Sequence, residues 1–280
     1  MPKNKKATHT RRVGSGKLFL ISFLTAAILL TLLFGIYHRA MLGKEVPTDQ
    51  LISGITVIPP EYTAADNQRF LVLYDADLSG SDVFAAAVCC NAATGIVTSC
   101  EIDLRLTAFT DTARGALSDQ YRLRGSKGVR DSIENLLHTE FDAVIRCDRK
   151  GLSAIVNLLG GVILQPGDLP QIDRTSTANA WYFAGQFDTP SQRNQLFARL
   201  TERCFRDEKT LSAAKTGIFR YCDTDLSAYD ALKMQDVLEY LAQKQQFTIL
   251  SLTAQKIEMG TQTVYIPDPD TLSILQKTLR

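Results

Sequence analysis

The chain has 280 residues, with 31 Lys and Arg against 30 Asp and Glu, and six cysteines. Six of its cations, Lys3, Lys5, Lys6, Arg11, Arg12 and Lys17, precede residue 18 with no acid among them, leaving 25 basic against 30 acidic residues in the rest. That negative remainder argues against a nucleic-acid partner, and the length fits a membrane segment followed by one large or two small domains.

Leu18 to Tyr37 carries no charge and reads LFLISFLTAAILLTLLFGIY. A helix rising ~1.5 Å per residue needs about 20 apolar residues to cross a bilayer core. The segment is therefore expected to span a membrane, and the cationic flank places the N-terminus in the cytoplasm and the rest outside. A cleaved signal peptide competes, but its apolar stretch is typically ~7–15 residues, and His38-Arg39-Ala40-Met41 offers no small-x-small cleavage site. The expected organisation is a cytoplasmic tail at 1–17, a transmembrane helix at 18–37, a stalk at 38–68 and an extracytoplasmic domain at 69–280. The stalk carries Pro47, Pro59 and Pro60, with one short strand expected at Ile55–Ile58.

Phe70–Tyr74 and Val83–Cys90 are nearly continuous apolar runs too short for helices, as strands covered on both faces are. Val83–Cys90 and Ile96–Ile102 read as a hairpin about Asn91–Gly95, in a register that sets Cys100 against Ala86. Between the first two strands, Asp75, Asp77 and Asp82 punctuate a polar loop at the C-terminal end of a strand, where open α/β sheets commonly place ligands. Three carboxylates there suit a hard cation such as Mg²⁺; equally, they suit a solvated turn whose acids cap local backbone groups. Helical spacing marks Gly128–Leu137 and Arg149–Leu159, with a strand at Phe141–Cys147 between them. Gly160-Gly161 stops the second helix and Val162–Leu164 begins another strand. Further helices are expected at Pro190–Arg206, Leu226–Gln243 and Asp268–Leu279. The fold class is α/β, a mixed central sheet flanked by helices on both faces.

Cysteines at 89, 90, 100, 147, 204 and 222 show no Cys-x-x-Cys spacing, so zinc is not supported, and buried free thiols are favoured over disulfides. His9, His38 and His138 form no constellation, and no Gly-x-Ser-x-Gly elbow is present.

The order of motifs resembles the LytR-CpsA-Psr family, bacterial envelope proteins with a short cytoplasmic tail, one span and an extracytoplasmic catalytic domain. The resemblance covers about Phe70 to Leu241. It rests on Leu71-Val-Leu-Tyr-Asp with Ser81-Asp82, on Val97–Asp103 where the family has Ser-Ile-Pro-Arg-Asp, and on Leu117, Tyr121 and Gly125. It continues through Glu134-Asn-Leu-Leu137, Phe141-Asp142, Val156-Asn-Leu-Leu-Gly-Gly-Val162, Asp188 with Arg193-Asn-Gln195, and Thr224-Asp-Leu-Ser227.

The resemblance implies transfer of a wall glycopolymer from a polyprenyl-pyrophosphate carrier to a peptidoglycan hydroxyl, at the outer face of the bilayer. It implies catalytic roles for Asp82 and Asp103, with Arg105 as a compensating cation, and substrate contacts from Arg122, Arg124, Asp188, Arg193 and Gln195. Mg²⁺ would be held by Asp75 or Asp77, with Asp82 and Asp103. The departures are specific: Glu101 and Ile102 stand where the family has proline and its catalytic arginine, and Tyr182–Gln186 lacks the family's Arg-x-Arg pair. Losing one preorganised charge contact costs ~3 kcal/mol of transition-state stabilisation. A catalytically degenerate relative that binds polyprenyl-phosphate lipid or wall-synthesis partners is therefore the alternative.

Overall fold

In a computed structural model the described residues are 61–110, 113–259 and 262–279. The expected membrane span, the cytoplasmic tail and the Ile55–Ile58 strand lie outside them. Among the described residues no helix is long and apolar enough to cross a membrane.

Five longer strands and a short sixth form one mixed sheet. They are β1 (Gln68–Asp75), β2 (Val83–Asn91), β3 (Ile96–Ile102), β6 (Ala143–Cys147), β9 (Asp223–Thr224) and β10 (Gln246–Leu252), in the order β10-β3-β2-β1-β6-β9. β1 runs antiparallel to β2 and parallel to β6, and β3 runs parallel to β10. Three two-stranded ribbons sit outside this sheet: β4 (Thr107–Thr110) with β5 (Ala113–Ala116), β7 (Val162–Leu164) with β8 (Ser176–Ala178), and β11 (Ala254–Met259) with β12 (Gln262–Pro267).

Strand side chains alternate between faces, so the apolar runs of β1 and β2 feed two cores. One face collects Phe70, Tyr74, Phe84 and Val88. Against it pack α2 (Arg149–Leu158), α3 (Ala180–Phe187), α4 (Arg193–Cys204), α5 (Glu208–Tyr221) and α7 (Gln235–Lys244), the last following the short α6 (Ala228–Lys233). The other face collects Leu71, Leu73, Ala85 and Ala87 against α1 (Leu117–Leu137) and α8 (Pro269–Leu279). The mixed sheet covered on both faces is therefore as the sequence indicates.

Local chemistry sets the element ends. Asp148 caps α2 by accepting from the Gly151 N–H at 2.7 Å, and Asp207 with Thr210 forms a capping box on α5. The double glycine after α2 takes φ of 69° and 96°, as expected of a helix stop.

Several elements differ from the sequence reading. The β2–β3 loop is Ala92–Gly95 with Asn91 opposite Ile96, so Cys100 faces Ala87, not Ala86; Glu101 faces Ala86. The turn geometry fixes that register, closed by the Gly95 N–H on the Asn91 carbonyl at 2.9 Å. α1 begins eleven residues before the expected helix, passing Gly125 in a non-helical conformation (φ 66°). Helix α5 was not signalled, its apolar stripe being narrow, nor was β10. The expected Leu226–Gln243 helix is two helices meeting at Met234.

Candidate functional site

The helical face of the sheet nearest β6 encloses an apolar cavity of about 160 Å³. Its lining includes Val72, Phe84, Ile155, Phe197, Leu211 and Met234, and nearly all of the lining surface is carbon or sulfur. Tyr74 lines it too, and its hydroxyl donates to Asp188 Oδ1 at 2.7 Å. Asp188 is also ion-paired with Arg149, at the first turn of α2. Tyr74 thus has its ring in the apolar space and its oxygen in a charged cluster.

That cluster extends to Arg193, at the start of α4 and 3% exposed. Arg193 grips Asp82 bidentately, Nη1 to Oδ1 at 2.8 Å, and donates to the Phe187 and Asp188 carbonyls at 2.8 and 3.0 Å. The hydrogen bonds from Arg193 hold the Asp82 carboxyl below its ordinary range. Burial pushes Tyr74 up, with Arg149 and Arg193 pulling the other way. Glu101, at the end of β3, is raised by burial, a hydrogen bond from Ser251 opposing and Asp103 reinforcing; Arg193 also acts on it. Burial raises the adjacent Asp103, but hydrogen bonds from Arg105 outweigh it and leave the group low, with Arg105 Nη2 at 2.6 Å from Oδ2.

A second group sits at the end of β1 on the α1 side. Asp75, 1% exposed, accepts from the Gly80 N–H at 3.0 Å and the Tyr121 hydroxyl at 2.9 Å, both on Oδ2. Its Oδ1 is buried with no protein partner. Tyr121 is pushed up to about 12 by burial and by the bond to Asp75. Gly80 has φ of 72°, and a Cβ there would stand 3.3 Å from the Tyr121 ring, so glycine suits both the turn and the close approach.

The sequence-selected residues are therefore placed as follows. Asp82, Asp188 and Arg193 come together beside Tyr74, whose ring lines the cavity. Asp103 and Arg105 pair with each other, and Arg105 lies over the Tyr265 ring at 5.7 Å. Asp77 accepts from the Ser79 N–H, so part of the acidic loop is a self-capped turn. Arg122 reaches the Gly80 carbonyl at 3.4 Å, at the rim of that loop, whereas Arg124 pairs with Asp131. Gln195 donates to Asp168, which also binds Arg199, so the structure gives Gln195 a bracing contact.

Asp75, Asp77, Asp82 and Asp103 were expected to share a cation. Among the described residues no group of three or more His, Cys, Asp or Glu is placed to hold one, because Arg193, Arg105 and Ser79 engage three of these acids separately. The free Oδ1 of Asp75 is the one feature that fits a hard cation. Tyr74, Arg149, Tyr121 and Glu101 were not selected as site residues; Arg149 had only its position at the first residue of a helix after a strand end as a signal.

A mixed sheet between helix layers is the class of architecture this chain adopts, and it is the fold of the LytR-CPS2A-psr proteins. Among solved structures the chain is similar to the LytR-CPS2A-psr family protein YwtF (TagT) with bound octaprenyl pyrophosphate lipid, at TM-score 0.60 and 16% identity over 79% of this chain and 92% of that one. TagV from B. subtilis gives 0.57 and 15% over 76% and 95%, and a transcriptional regulator from Enterococcus faecalis gives 0.61 and 15% over 78% and 87%. No protein-family model and no curated protein matches the chain. At these identities the likeness is one of fold, as a divergent member would show.

Proposed function

We propose that the protein is a membrane-anchored, extracytoplasmic member of the LytR-CpsA-Psr family. It binds a polyprenyl-pyrophosphate-linked glycopolymer and transfers the polymer to a peptidoglycan hydroxyl. The observation that carries this reading is the apolar cavity whose wall residue Tyr74 ends in the Asp188–Arg149 pair. A structural neighbour, TagT, holds octaprenyl pyrophosphate, and another structure of it is bound to LI-WTA.

The chemistry follows from the parts. An isoprenoid tail is stabilised in the cavity by ~25 cal/mol for each Å² of apolar surface removed from water. Arg149, more than half exposed beside Tyr74 and Asp188, is the guanidinium able to take phosphate oxygens bidentately, while Arg193, buried with every nitrogen engaged, holds Asp82 and the Phe187 and Asp188 carbonyls in place. The acceptor hydroxyl attacks the sugar-bearing phosphorus, the P–O bond to the polyprenyl phosphate breaks, and the hydroxyl proton goes to a carboxylate. Glu101, raised by burial beside Arg193, is suited to that proton. Mg²⁺, when bound, would neutralise pyrophosphate charge; Asp75 Oδ1 would hold it, the remaining ligands being water and phosphate oxygens.

One observation favours the second reading, a lipid-binding relative without turnover. Arg149, Arg193 and Arg105 are each already neutralised by an acid, and Arg105 stands with its guanidinium exposed over Tyr265. The test is full-length protein in detergent with Mg²⁺ and a polyprenyl-pyrophosphate-linked saccharide. Release of polyprenyl phosphate that stops in Glu101→Gln and Arg193→Lys supports transfer. Lipid binding without release establishes the second reading, and neither binding nor release rejects both.

A further inference from the structure

Cys147 ends β6 and Cys222 follows the last residue of α5, immediately before β9. Across the two strands Ile145 faces Thr224 and Arg146 faces Asp223. One more step of that antiparallel register sets Cys147 against Cys222, whose backbone is extended (φ −114°, ψ 156°). The Asp225 N–H donates to the Val144 carbonyl at 3.4 Å and the Val144 N–H to the Asp225 side chain at 2.6 Å, so 144 and 225 point their backbone groups at each other, and alternation makes 147 and 222 a non-hydrogen-bonded position. In such pairs the Cα atoms lie ~4.5 Å apart, inside the ~4.4–6.8 Å that a disulfide spans.

A second geometric fact agrees. A Cβ built on Gly151 would stand 2.5 Å from the Tyr221 carbonyl oxygen and 2.9 Å from Cys147 Sγ, so that sulfur and the backbone just before Cys222 converge on one spot. Contact with Cys222, together with burial, pushes the Cys147 thiol far above its ordinary value. No other described cysteine pair is opposed in this way: Cys89 faces Thr98, Cys90 faces Val97 and Cys100 faces Ala87.

We propose that Cys147 and Cys222 form a cross-strand disulfide that pins the end of α5 to the sheet in the wall of the apolar cavity. Both residues line that cavity, and both are free thiols in this structure. The link is a matter of geometry and holds whatever ligand the cavity takes. Cys222, half-buried where Cys147 is buried, is the thiol that meets the oxidant. Its thiolate attacks a small-molecule or protein disulfide, expelling one thiol; Cys147 then loses its proton and displaces the second thiol from the mixed disulfide. Two protein S–H bonds are replaced by one S–S bond, and the oxidant's disulfide becomes two thiols. The site also lies next to Asp148, the α2 cap, and Arg149, so the bond braces the guanidinium that holds Asp188.

The experiment is equilibration of the full-length protein in detergent with oxidised and reduced glutathione, followed by alkylation under denaturing conditions and peptide mapping. The expected result is four alkylated cysteines, with the peptides of Cys147 and Cys222 linked. Closing a loop of about 75 residues should raise Tm by roughly 10 °C over the reduced protein, and Cys222→Ser should show no such rise. Six alkylated cysteines after oxidation, or linkage of Cys204 with either residue, would overturn the proposal. The wild-type map decides this even if the serine variant fails to fold.

Discussion

Arg193→Met separates two accounts of this charged cluster, one in which the arginine is a surface ligand and one in which it organises the fold. The guanidinium is 3% exposed and makes two bonds to Asp82 and two to backbone carbonyls. Breaking a buried pair from the buried side costs ~3–5 kcal/mol, but Asp82 is half exposed and regains water when its partner goes, so solvent screening lowers the pair's own share to ~1 kcal/mol or less. The two carbonyls left behind add ~1 kcal/mol each. The expected loss is about 3 kcal/mol for Arg193→Met, and about as much for Asp82→Asn, which keeps the carbonyl bonds but leaves the guanidinium buried without its counter-charge. Urea unfolding of full-length protein in detergent measures both, as shifted midpoints at unchanged m. Because the folded Asp82 carboxyl is held low, its share is present above the unfolded pKa and is lost as pH falls through the folded one. The difference between wild type and Asp82→Asn should therefore close in acid. A loss below about 1 kcal/mol for either variant would refute the reasoning.

Glu101 titrates with the opposite sign: its folded pKa is raised, so its contribution is full below the unfolded value and lost as pH rises through the folded one. Glu101→Gln should gain stability over wild type on going from pH 4 to pH 8, which parallel melts would show; no gain would place the carboxylate in water. Ala214→Phe adds a ring to the cavity wall and should weaken polyprenyl-phosphate binding at least tenfold with the fold retained, read by equilibrium binding of radiolabelled lipid and by circular dichroism. Gly151→Ala forces a methyl to 2.5 Å from the Tyr221 carbonyl and should cost about 2 kcal/mol in the same urea assay.

The sheet was legible because β1 and β2 are buried on both faces and so read as unbroken apolar runs. α2 was legible because its apolar residues recur at helical spacing. α5 was missed because only Thr210, Leu211, Ala214 and Gly217 are buried among its fourteen residues, and a stripe of small residues carries little periodic signal. At the site, acids in a loop could be picked out, but their partners could not. Asp188 meets Arg149 across 39 residues of sequence and Asp82 meets Arg193 across 111, distances that only the folded topology spans. The expected cation cluster did not assemble because Arg193, Arg105 and Ser79 engage Asp82, Asp103 and Asp77 separately.

Tyr74 carries one further consequence. An occupant that turns its ring cannot leave the oxygen where it was, so filling the greasy space would withdraw the phenol from Asp188 and leave that carboxylate to Arg149 alone. One phenol thereby couples the state of an apolar space to a charged pair that does not line it.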